Sequence, residues 1–215
     1  MPVSFEHNCI FVHIPKNGGT SIKQSLGIPE QDYSLFTGGH EVRLFHETLY
    51  CSTNHATARI LQIFFYHKFA EMLKFSVVRN PYDRAVSQFL YNKKVGLGLY
   101  KNSDDKNRIT RIVSVAGFGE WLKWYYERPD NYGKVPQYYH LYYNGVCLVD
   151  KILRFENLEQ EYNEMCKQHN INAKPLPKVN QSEYLISKEE FLTEENKKII
   201  YDYFSIDFKT FNYPP

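Results

Sequence analysis

Lys16 stands just ahead of two glycines and two hydroxyl residues, in residues 11–22, FVHIPKNGGTSI. That combination suits an anion. The lysine supplies a full charge, and glycines let backbone N–H groups approach phosphate- or sulfate-like oxygens closely. The apolar run 9–14 reads as a buried strand. Thr20 or Ser21 then opens a helix through Ile22, Lys23 and Leu26. The lysine precedes the glycines and no G-K-[ST] follows, so the loop is not a Walker A motif.

A second stretch, residues 74–90, KFSVVRNPYDRAVSQFL, is again a strand running into a helix. Val77 and Val78 suit the strand. Asn80 suits an N-cap and Pro81 the first helical position. Arg79 therefore falls where the strand ends, the edge at which open α/β sheets bind ligands. Asp83 and Ser87, four apart, share one helical face.

Together the two stretches resemble the nucleotide-binding elements of sulfotransferases that use 3′-phosphoadenosine 5′-phosphosulfate (PAPS). The resemblance is closest to the carbohydrate branch that includes the heparan sulfate 2-O enzymes and their bacterial relatives. It implies that Lys16, Asn17, Gly18, Gly19, Thr20 and Ser21 hold the 5′-phosphosulfate, and that Arg79 and Ser87 hold the 3′-phosphate. Asn17 stands where threonine is commoner. The likeness extends to residues 149–158, VDKILRFENL, to 178–182, KVNQS, and to the C-terminal stretch 200–213. It is weakest at 28–54 and 95–136.

Sulfuryl transfer to a hydroxyl needs a base as well as charge stabilisation, which Lys16 would provide at the departing oxygen. His55, in residues 54–59, NHATAR, is similar to the histidine taken as base in this branch. Position 54 carries Asn where that branch has Lys or Gly. Histidine titrates near neutrality and suits the task. His40 is the second choice. The resemblance implies PAPS as co-substrate, no metal, and a carbohydrate or other hydroxylated acceptor. Two other readings stand beside it: a nucleotide-dependent kinase of related fold, and a non-catalytic relative that binds polysaccharide.

The whole chain fits those parts. Its 215 residues suit one domain over 1–215. Charged residues at 23% and aromatics at 16% describe a globular chain. A net charge of +2 gives no argument for nucleic-acid binding. No apolar run is long enough to span a bilayer, and the N-terminus lacks a signal-like pattern, so the expected location is cytoplasmic without stable membrane insertion. The oligomeric state is unreadable. Cys9, Cys51, Cys147 and Cys166 include no C-x-x-C pair and read as reduced thiols.

Strands at 9–14, 74–79 and 149–154 alternate with helices at 20–26, 56–65, 81–93, 118–127, 157–169 and 189–204. A further helix is expected over 109–115, and loops over 29–54 and 96–105. Residues 187–190 have capping-box spacing. Strands separated by helices predict an α/β protein with a central parallel sheet flanked by helices. The resemblance makes it a P-loop-like three-layer fold. Trp121 and Tyr125 sit at helical spacing and read as core.

Overall fold

The computed structural model describes residues 3–28, 40–44, 47–51, 55–96, 117–127, 134–177 and 188–215. The expected helix over 109–115, most of the loop 96–105, the segment 178–182 and the Ser187 cap lie outside them. In chain order the elements are β1 (Val3–Ser4), β2 (Cys9–Val12), α1 (Gly19–Ser25), β3 (His40–Leu44), β4 (Glu47–Cys51), α2 (Ala58–Phe64), α3 (Tyr66–Glu71), β5 (Leu73–Val78), α4 (Pro81–Gly96), α5 (Phe118–Glu127), α6 (Gln137–Leu141), β6 (Tyr142–Tyr143), β7 (Val146–Cys147), β8 (Lys151–Arg154), α7 (Leu158–Gln168), α8 (Lys188–Phe191) and α9 (Glu194–Thr210). They fall into two compact units, residues 1–79 with 137–179, and residues 80–136 with 180–215.

The first unit holds a four-stranded sheet in the order β1-β2-β5-β8. β2, β5 and β8 run parallel, with Phe11 opposite Phe75 and Phe75 opposite Lys151. This is the central, mostly parallel sheet flanked by helices that the sequence predicts. β1 is the unforeseen part. It pairs antiparallel with β2 through a turn in which Asn8 takes a φ of 48°. All four residues of β2 are buried, as expected of a strand covered on both faces. Cys9 and Phe11 face one side, where Ile22 and Leu26 of α1 and Tyr162 and Met165 of α7 complete a core with Phe75, Val77 and Leu153. Asp150 sets the start of β8. Its Oδ2 accepts from the Lys74 backbone N–H at 2.8 Å and meets the Lys74 amine at 2.9 Å.

Three further elements differ from expectation. The stretch read as an irregular loop, 29–54, contains the antiparallel pair β3–β4, with His40 opposite Cys51. The helix expected over 56–65 is α2, followed directly by α3. The change comes at Phe65, whose ψ of 23° leaves the helical range. β6 and β7 form a small hairpin around Asn144 and Gly145, both at positive φ. Asn-Gly between apolar-aromatic pairs is the sequence signature of such a turn.

The second unit is helical. Asn80 caps α4, its Oδ1 accepting from the Tyr82 N–H at 2.9 Å. Phe89 of α4 meets Phe118 and Trp121 of α5 and Phe191 of α8, with centroids 5.3–5.8 Å apart. Trp121 and Tyr125 are fully buried and stacked at 4.4 Å, so their role is core packing. Arg84 is buried too, donating to the Val135 carbonyl at 3.1 Å with its guanidinium over Phe204. The expected helix 189–204 is divided. Thr193 accepts from the Asn196 N–H and starts a new helix, α9, whose backbone leaves the helical range at Phe204 (φ −106°, ψ 21°), the expected end, before a further helical stretch runs to Thr210. Among the described residues no helix is long and apolar enough to cross a membrane.

Candidate active site

The parallel strands of the first unit direct three segments to one rim of the sheet: residues 13–18 after β2, Arg79 after β5, and Phe155 after β8. The first of these is a tight turn. Lys16 and Gly18 take positive φ, 71° and 78°. Gly18 is the N-cap of α1, and among the described residues no side chain caps that helix start. A side chain at Gly18 would press on Leu158 and Phe155, at 3.0 and 3.2 Å. At Gly19 a Cβ would lie 1.9 Å from the His13 ring, so only glycine fits. Thr20 and Ser21 follow half-buried in the first turn of α1. The helix thus begins one residue before the expected Thr20.

Asn17 turns inward. It is buried, and its side-chain amide donates to the Val77 carbonyl and to Gln137 Oε1, both at 2.7 Å. Its side chain therefore fastens the turn to β5, leaving its backbone to face a ligand.

Arg79 lies beside Lys16. Its Nη1 donates to the Lys16 carbonyl at 3.1 Å, and its guanidinium lies 4.1 Å above the Phe155 ring. That stacking holds a cation without neutralising it. Arg79 Nε is buried and has no hydrogen-bond partner among the described residues. Burial first, and then the Arg79 charge, push the Lys16 amine down to about 8. Two adjacent, partly desolvated cations are a site built for negative charge.

His55 joins the same region. Its Nδ1 lies 3.0 Å from the His13 carbonyl, and the two imidazole rings are 4.4 Å apart. A carbonyl only accepts, so Nδ1 carries the proton and Nε2 of the neutral ring keeps its lone pair. His13 is itself fixed by stacking on Phe11 at 5.5 Å. His55 is therefore tied to the residue that leads into the lysine turn. His40 opens β3, with Cys51 opposite. Ser87 belongs to the helical unit, where it is buried on α4.

Two residues that hold the site were not singled out from sequence. Gln137 is fully buried at the start of α6. Besides Asn17, it accepts from the Arg79 N–H at 2.9 Å and donates to the Arg79 carbonyl at 2.8 Å. A lone amide after Pro136 carries no periodic or motif signal. Phe155 lies in residues 149–158, which the family likeness marks as a stretch without marking this ring.

No curated protein and no solved structure matches this chain. The Sulfotransferase family matches it over residues 2–214. With nearly its whole length matched, the chain belongs to the sulfotransferase family, and sulfuryl transfer to a hydroxylated acceptor is its chemistry.

Proposed function

We propose that this chain moves the sulfuryl group of PAPS to a hydroxyl of a carbohydrate acceptor, with His55 as general base. The observation that carries the reading is the pairing of Lys16 with Arg79, two adjacent cations, the Arg79 Nε being buried and without a hydrogen-bond partner among the described residues. PAPS supplies the sulfuryl group and two anionic ends. Lys16, with the backbone of Asn17, Gly18, Gly19, Thr20 and Ser21, binds the 5′ end. Arg79 binds the 3′-phosphate, with Ser87 as second ligand on the family resemblance.

His55 Nε2 takes the acceptor's hydroxyl proton as that oxygen bonds to sulfur and the bond from sulfur to the 5′-phosphate oxygen breaks. Lys16 meets the negative charge left on that oxygen. Both effects are of the size that enzymes draw from single groups, about a hundredfold or more each. The proposal includes one catalytic domain over the chain, a cytoplasmic location and no need for metal.

Isothermal calorimetry with adenosine 3′,5′-bisphosphate and with ADP tests the donor assignment. The bisphosphate should bind at least about tenfold tighter, the worth of one charge-assisted phosphate contact. Equal affinities refute it. Transfer of labelled sulfate from PAPS to a panel of oligosaccharides, unaffected by EDTA, tests the reaction. Failure of every hydroxylated acceptor would leave a binding protein in place of an enzyme.

A further inference from the structure

Gln137 bonds both halves of the candidate donor site. Its Oε1 accepts at once from the Asn17 side chain in the lysine turn, at 2.7 Å, and from the Arg79 N–H, at 2.9 Å. Its Nε2 returns a bond to the Arg79 carbonyl at 2.8 Å. The amide thus grips both main-chain groups of the residue that ends β5, from a position with no solvent exposure. A buried amide with its bonds satisfied has one low-energy placement.

We propose that Gln137 is a positioning residue for the 3′-phosphate: it sets the register of Arg79 against the lysine turn and so determines preference for a bisphosphate donor. The inference rests on the reading of Lys16 and Arg79 as ligands of one nucleotide. The two ends do not depend on Gln137 equally. If it is lost, Asn17 keeps its bond to the Val77 carbonyl, so the lysine turn stays fastened to β5. Arg79 loses the partners of both its main-chain groups. Its guanidinium retains only the Lys16 carbonyl and the Phe155 ring as described contacts. The loss therefore falls on the 3′ end.

The test is calorimetry on the whole chain, wild type and Gln137→Met, with adenosine 3′,5′-bisphosphate and adenosine 5′-monophosphate. Met matches the length of Gln without its hydrogen bonds. The wild type should prefer the bisphosphate. In Gln137→Met that preference should shrink by about tenfold, with monophosphate affinity changed by less than about threefold. Where Met prevents folding, Gln137→Glu carries the same test. It keeps the acceptor toward Asn17 and the Arg79 N–H but sets an oxygen against the Arg79 carbonyl.

A variant that keeps the wild-type preference overturns the inference. So does a variant that loses both ligands in equal proportion, which is what a merely structural role would give. A wild type with no preference for the bisphosphate removes the donor assignment itself, and this inference with it.

Discussion

Lys16 and Arg79 repel each other, and a bound dianion would relieve that repulsion. The pH dependence follows. An amine held at about 8 when free is charged below that pH and neutral above it. In the empty protein this costs stability below pH 8, a cost removed as pH rises toward the unfolded lysine value. Binding runs the other way, because the anion needs the ammonium. Affinity for adenosine 3′,5′-bisphosphate should be level below pH 8 and fall by up to about tenfold per unit above it. In Lys16→Met the fall should vanish and turnover should drop by about a hundredfold or more. A wild-type affinity flat to pH 10 would contradict this. Under the proposed function His55 acts in the chemical step and not in donor binding. His55→Ala should lower turnover by about a hundredfold to ten-thousandfold in a sulfate-transfer assay, with bisphosphate affinity nearly unchanged. These residues were legible in the sequence because their types announce charge or proton transfer. Gln137 was not, because a neutral amide gains meaning only from the groups that three-dimensional structure brings to it.

The turn after β2 is shaped by what surrounds its glycines. Gly19 is the first residue of α1, where alanine's helix preference counts for less than the about 1 kcal/mol it is worth in a helix interior. Here its Cβ would strike the His13 ring. Overpacking of that kind costs about 1–3 kcal/mol. Gly19→Ala should therefore lower the melting temperature despite the better helix former. It should also reduce turnover, since the His13 carbonyl orients His55. An unchanged melting curve would show that His13 can swing away freely. The same scale explains what sequence reading recovered. Buried strands and the Asn80–Pro81 helix start were legible because their signals are local. The Asn144–Gly145 hairpin rests on an equally local signal. β1 and the pair β3–β4 are short and depend on partners, so pattern alone does not reveal them. Thr193, which caps α9, has the same kind of local signal as Asn80.

Across the molecule, burial decides which groups react with reagents. Cys9 is fully buried, and burial, then the Cys166 thiol, push its own thiol up to about 12. Cys147 is half-buried. Brief alkylation of the native protein, read by peptide mapping, should therefore label Cys147 well before Cys9, and denaturant should abolish the difference. Early labelling of Cys9 would mean that the sheet core opens readily. The sheet has a second consequence. Since β2, β5 and β8 run the same way, the residues that could handle anions gather past their C-terminal ends. The opposite end of the same strands, around His7, Asn8, Lys74, Asp150 and His169, is a polar hollow with a volume of about 410 Å³. That distal side is where a dye or surface tether can be grafted, at His7 or His169, while the candidate site at the far rim stays unobstructed.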